Sequence, residues 1–140
     1  MNAMQTLPVR LHPGDDLRAA LDALLVAHGL QAAFVVAGIG SLSGAQLRLA
    51  GAEQATRFDG DIEILSLSGS LSVDGSHLHA AIADAQGRVS GGHVAPGCVV
   101  RTTAEVLIAA LPAWRFERVA DARTGFAELQ VLSSSTGSGS

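Results

Sequence analysis

The sequence predicts one α+β domain, a single helix set against a series of strands. Three observations carry this. Leu17, Ala20, Leu21, Leu24, Leu25 and His28 recur at i, i+3, i+4, i+7 spacing and form one apolar stripe, the mark of an amphipathic helix. Alternating or unbroken apolar stretches of strand length recur between Met4 and Leu132. The chain has 140 residues, 48% apolar and 16% charged, which suits one domain with a buried core and not a disordered chain.

Met4 to Leu11 alternates as a strand, and His12-Pro13-Gly14 breaks it. Asp15 or Asp16 is placed to cap the helix, and Gly29 stands where its C-terminus needs a left-handed residue. His28 finishes the last helical turn. Ala32 to Ile39 is a continuous apolar run and reads as a buried strand, with Ser43 to Ala50 as the next. Gly51 to Asp59 is polar and reads as a loop. Ile62 to Leu71 reads as a strand with Ile62, Ile64 and Ser66 on one face and Leu65, Leu67 and Gly69 on the other. Ser76 to Asp84 and Arg88 to Val94 follow, joined by Ala85-Gln86-Gly87. Val99 to Ala110 is open to two readings. Thr102 and Glu105 fit a capping box, whereas Val99, Val100 and Val106 to Ile108 suit a strand. Phe126 to Leu132 reads as a closing strand. The domain is therefore expected over residues 1–132, with 133–140 as a disordered Ser/Gly tail.

Composition narrows the function classes. No apolar run approaches the roughly 18 residues of a membrane span, and Met1 to Arg10 lacks a basic region followed by an apolar stretch. The expectation is no membrane and a cytoplasmic location. The one cysteine, Cys98, has no disulfide partner in the chain and is expected to pack as a small apolar residue. Net charge is −4, and the nine basic residues are all arginine, scattered singly. Nucleic-acid binders usually concentrate basic charge on one face or tail. This scatter weighs against DNA as a partner, although folding can gather distant arginines.

Three of the five histidines, His77, His79 and His93, fall within seventeen residues. On a strand His77 and His79 face the same way, and Leu78, Ala80 and Ile82 face the core. Ala85-Gln86-Gly87 fits a three-residue hairpin loop with Gly87 left-handed. Asp84 then pairs with Arg88, and five steps outward His79 pairs with His93. Opposed residues share a face, and His77 is the diagonal neighbour. All three imidazoles can converge, unless Gly91-Gly92 forms a bulge that slips the register. Otherwise those glycines leave open space at the site. Neutral imidazoles suit Zn²⁺, and also Ni²⁺, Fe²⁺ or Cu²⁺. Three protein ligands leave a further position open, as in catalytic zinc sites.

Other motifs carry less. Gly38-Ile39-Gly40 follows a strand, but residue 43 is serine and an extended segment follows, so the dinucleotide fingerprint fails and a turn that re-aims the chain, or lets a ligand approach the backbone, is expected. Glu63 and Glu105 stand in apolar surroundings and are the candidate catalytic acid or base beside a metal, against a structural role. No Ser/His/Asp triad has a local signature. Trp114 to Arg118 mixes aromatic and basic residues and reads as a sheet edge or subunit contact.

Taken together, Pro13-Gly14-Asp15, Gly38-Ile39-Gly40-Ser41, Glu63-Ile64-Leu65-Ser66-Leu67-Ser68-Gly69, His77-Leu78-His79, Gly87-Arg88-Val89, Gly91-Gly92-His93 and Thr103-Ala104-Glu105-Val106 resemble the PPC (plants and prokaryotes conserved, DUF296) domain from about Met4 to Leu132. The resemblance implies a mixed, mostly antiparallel sheet packed with one main helix, a homotrimer, and Val99 to Ala110 as a strand. It places a divalent metal, zinc first, on His77, His79 and His93. It also raises DNA binding, yet the chain has no Arg-Gly-Arg-Pro hook. Gly60-Asp61-Ile62-Glu63-Ile64-Leu65 carries an acid where plant members carry arginine. The fold further resembles that of acetolactate decarboxylase, which uses three histidines on zinc; this is analogy of fold alone. Two functions follow as expectations: a metal-binding oligomer acting on a small oxo- or hydroxy-acid near the metal, or a regulatory module that binds partner proteins or DNA.

Overall fold

The computed structural model describes residues 3–134. The one helix is anchored by a carboxylate. Asp16 accepts the backbone N–H of Ala19 at 3.0 Å and caps helix α1, Leu17–Ala27. Its other oxygen accepts the N–H of Gly97 at 2.7 Å, tying the helix start to a distant loop. The helix ends as predicted: the His28 N–H bonds Leu24 and Gly29 takes φ +62°. Leu17, Leu21 and Leu25 are buried, and the helix packs on the sheet through β3 and β4, defined below.

The strands are β1 Gln5–Leu11, β2 Ala32–Arg48, β3 Thr56–Ser72, β4 Gly75–Ala83, β5 Val89–Val94, β6 Val100–Ala110, β7 Trp114–Asp121 and β8 Phe126–Ser133. Six form a sheet in the order β1-β6-β2-β3-β4-β5, and β5 returns to pair with the end of β2. The segment β2-β3-β4-β5 is thus closed into a ring. β7 and β8 form a separate hairpin. Each strand pairing among the described residues is antiparallel. This is the expected α+β domain of one main helix on an antiparallel sheet, and Val100–Ala110 is the strand that the resemblance implied.

Several local expectations give way to long-range pairing. Ala32 to Ile39 and Ser43 to Ala50 are one strand, β2, with an irregularity between Ser43 and Ala45. Gly38-Ile39-Gly40 lies inside that strand and makes no turn. A Cβ on Gly40 would sit 2.6 Å from the Thr103 carbonyl oxygen and 2.7 Å from Ala104 Cα, so glycine is required there by the close approach of β6. The polar stretch expected as a loop enters β3 at Thr56, because Ala45, Gln46 and Leu47 supply pairing partners to Phe58, Arg57 and Thr56. In β3 a register shift between Ile64 and Ser66 turns the alternation over. Ile62, Ile64 and Leu67 are therefore all buried and Leu65 is exposed, where simple alternation puts Leu65 and Leu67 together. Trp114 to Asp121 is a strand, anchored by Phe116, whose ring meets Phe34 edge-on at 5.6 Å.

Ser133 closes β8, and the Ser134 hydroxyl donates to the Pro112 carbonyl at 2.8 Å, so order extends two residues into the segment expected as tail. Residues 135–140 lie outside the described residues. No helix among the described residues is long and apolar enough to cross a membrane. Cys98 is buried as expected, its sulfur between the N–H and C=O of Gln46, and burial pushes its thiol pKa up.

Gly40→Ala forces apart a packed β2–β6 contact. Urea unfolding is expected to show a loss of roughly 1–3 kcal/mol, the usual cost of overpacking.

Candidate metal centre

The site begins with a turn. Gly87 takes φ +78°, which a residue bearing a Cβ rarely adopts. The Asp84 N–H donates to the Arg88 carbonyl at 3.0 Å, and the Gly87 N–H returns to the Asp84 carbonyl at 2.9 Å. The Asp84 carboxylate accepts the N–H groups of Gln86 and Arg88, each at 2.9 Å, and the Arg88 Nε at 2.7 Å. These bonds hold its pKa below the usual carboxylate value, the Arg88 side chain contributing most. From this turn the β4–β5 ladder runs without a register shift to His79 opposite His93. On the reverse side Leu78, Ala80 and Ile82 are buried, as the alternation predicts.

Gly91-Gly92 neither forms a bulge nor leaves open space. A Cβ on Gly92 would meet the Arg48 carbonyl oxygen at 2.7 Å. Gly92 lets β5 lie against β2, where Arg48 pairs with His93, and a Cβ on Gly91 would meet the Ala80 carbonyl oxygen of β4 at 3.2 Å.

The three imidazoles converge. His77 Nε2 and His79 Nε2 are 3.2 Å apart, and one ring nitrogen from each of His77, His79 and His93 falls within 4.8 Å of the others. Two nitrogens each about 2.0–2.1 Å from a tetrahedral Zn²⁺ lie about 3.3 Å apart. The observed His77–His79 spacing is that of a ligand pair. His93 is half-buried, its Nδ1 has no hydrogen-bond partner, and its Nε2 is 3.5 Å from Arg18 Nη1, a group that can only donate. Burial pushes the His93 pKa down to about 4, reinforced by His77, Arg48 and Arg18. Burial also lowers that of His77, followed by the field of Arg118. Both rings are thus neutral at pH 7, the state in which imidazole binds a metal. The donor set fits a divalent transition ion.

His77 and His93 open on a cavity of about 900 Å³ that also receives Arg18 from α1, Arg48 from β2 and Arg118 from β7. Sequence reading missed these arginines, which no local pattern links. Glu63 and Glu105 are placed elsewhere. Both are exposed and line a different cleft, of about 460 Å³, with Arg101 and Thr102. The carboxylates on the histidine cavity are Glu53, Asp74 and Glu128, none of which the sequence singled out.

With fold and site described, likeness to other proteins can be placed. Residues 1–112 match the family described as the Plants and Prokaryotes Conserved (PCC) domain. The chain belongs to this family. A hypothetical protein from Salmonella enterica has the same fold at a TM-score of 0.92, with 39% identity over 96% of this chain and 98% of its own. A metal-containing protein from Archaeoglobus fulgidus follows at a TM-score of 0.77 and 27% identity, covering 90% of this chain and 93% of its own. A plant- and prokaryote-conserved (PPC) protein from Pyrococcus horikoshii has a TM-score of 0.76 and 25% identity, covering 94% and 96%. Two curated relatives, the bifunctional GlmU proteins of Synechococcus strains JA-3-3Ab and JA-2-3B'a(2-13), are 47% and 46% identical over 129 residues. Those residues are 92% of this chain, which spans about a fifth of the GlmU chains, 21% and 20%.

His93 binds fewer protons folded than unfolded as pH drops from 6.5 toward 4. Stability of the chelator-treated protein therefore falls with pH across that window. Urea midpoints measured over the same range should decline, and His93→Gln should flatten the decline.

Proposed function

We propose that this protein is a metal-binding member of its family. His77, His79 and His93 hold one divalent transition ion, zinc first, for chemistry on a small oxo- or hydroxy-acid. The observation that carries this reading is the convergence of three imidazoles, His77 and His79 at ligand spacing and His93 close by, beside an open cavity that His77 and His93 line. The name of the Archaeoglobus relative, a metal-containing protein, points the same way. An ion held there supplies Lewis acidity toward a ligand oxygen. The chain's own contribution is to keep His93 neutral by burial, to fix the three rings through the hairpin, and to give a small molecule room beside them.

We further propose that the chain assembles as a homotrimer. Supporting this, Val36, Ile39, Leu65 and Leu107 are 56%, 54%, 48% and 37% exposed. Ile39 and Leu107 line one groove with Pro8, Val9 and Val106, so apolar side chains of β1, β2 and β6 gather on that face. A DNA-binding or regulatory role draws less support from the surface. Five of the nine arginines, at 57, 88, 101, 115 and 123, are in ion pairs with nearby acids. Three of the other four face the histidine cavity.

Elemental analysis of tag-free protein is expected to find close to one metal per chain, lost in His79→Ala. A wild-type chain that is metal-free and cannot be loaded overturns the reading. Sedimentation equilibrium should give about three times the 14.2 kDa chain mass; a monomer across concentrations would rule out the trimer.

A further inference from the structure

Arg18, Arg48 and Arg118 come from a helix, the end of a long strand and the outer hairpin, yet all three line the cavity beside His77 and His93. Each is half-buried. Among the described residues none of them is in an ion pair, unlike Arg57, Arg88, Arg101, Arg115 and Arg123. Each is instead anchored through one nitrogen to a neutral oxygen. Arg18 Nη1 reaches the Val94 carbonyl at 3.3 Å, Arg48 Nη1 the Ala52 carbonyl at 3.3 Å, and Arg118 Nη2 the Ser70 hydroxyl at 2.9 Å. A guanidinium carries five N–H donors, so most of each fork is uncommitted.

A partly desolvated cation without a counter-charge is costly to maintain. The carboxylates on the same cavity, Glu53, Asp74 and Glu128, are all exposed to water. Asp74 is engaged by the backbone N–H of Arg118 at 2.9 Å, not by its guanidinium. The arginines of the cavity are therefore more withdrawn from water than its carboxylates.

We infer that Arg18, Arg48 and Arg118 form an anion-binding wall, and that the natural ligand carries a second anionic group, carboxylate or phosphate, besides the oxo- or hydroxy-acid end presented to the histidines. This rests on the metal reading above for the first end only. Arginine forks bind both oxyanions in bidentate fashion, and three of them exceed what one small monocarboxylate can use. A cavity of about 900 Å³ has room for such a ligand.

Calorimetric titration of zinc-loaded protein separates the possibilities with two matched pairs of hydroxy-acids. Malate against lactate tests a second carboxylate; 3-phosphoglycerate against glycerate tests a phosphate. At least one dianion is expected to bind about tenfold or more tighter than its monoanionic partner. Arg48→Gln should erase that preference while retaining the metal and the weak binding of the monoanion. Arg118→Gln is the second variant, and Arg48→Lys should recover part of the loss. Which pair shows the preference identifies the anion. Equal binding within both pairs, no binding of any of the four, or a preference that survives both glutamine variants overturns the inference. If the protein holds no metal, the same titrations on the metal-free chain still read the wall: an arginine-dependent preference upholds it while the metal reading falls. Metal retained with no such preference overturns the wall alone.

Discussion

The pairing of His79 with His93 across the β4–β5 hairpin is the constraint on which the candidate site depends. A strand has a period of two, so a slip of one residue would send His93 to the core face and a buried neighbour to the cavity. What prevents the slip is remote from the histidines. The Asp84 carboxylate binds two backbone N–H groups and one guanidinium at the turn, and Gly87 supplies the left-handed residue that closes it. The buried row Leu78, Ala80 and Ile82 on the other face fixes the orientation of β4, so that His77 and His79 face away from the core.

A second constraint acts at the far end of β5. Its last residues leave β4 and meet the end of β2, which puts Arg48 beside His93. Gly92 makes this possible by presenting no Cβ to the Arg48 carbonyl. Ring closure thus does two things at once. It holds His93 between two strands, and it carries a cation into a cavity already walled by imidazole. Helix α1 adds Arg18 from the side, and the β7–β8 hairpin adds Arg118 from above β3 through Ser70. Electrostatics and topology are coupled here, since no guanidinium would reach the cavity without the element that bears it.

How much of this was legible in the sequence follows from the distance over which each feature is determined. The helix, its Asp16 cap, the hairpin turn and the histidine register are local, and counting residues from Gly87 placed His79 opposite His93 correctly. Features set by partners far along the chain were not legible. Thr56 joins a strand because Leu47 lies opposite it, and Leu67 is buried because β3 shifts register against β4. Glu63 and Glu105 looked catalytic because their neighbours are apolar, but those neighbours alternate to the core while the carboxylates face outward into a separate cleft. Arg18, Arg48 and Arg118 share no motif at all; only the folded chain brings them together.

The outer strand of the six-stranded order, β1, carries Pro8 opposite Leu107. Proline has no N–H to offer, and its place on an edge blunts the template that an exposed strand otherwise holds out to other chains. Growth of the sheet into a filament by strand addition is discouraged at that border. At the β1 border, pairing of backbones between copies of this chain is disfavoured.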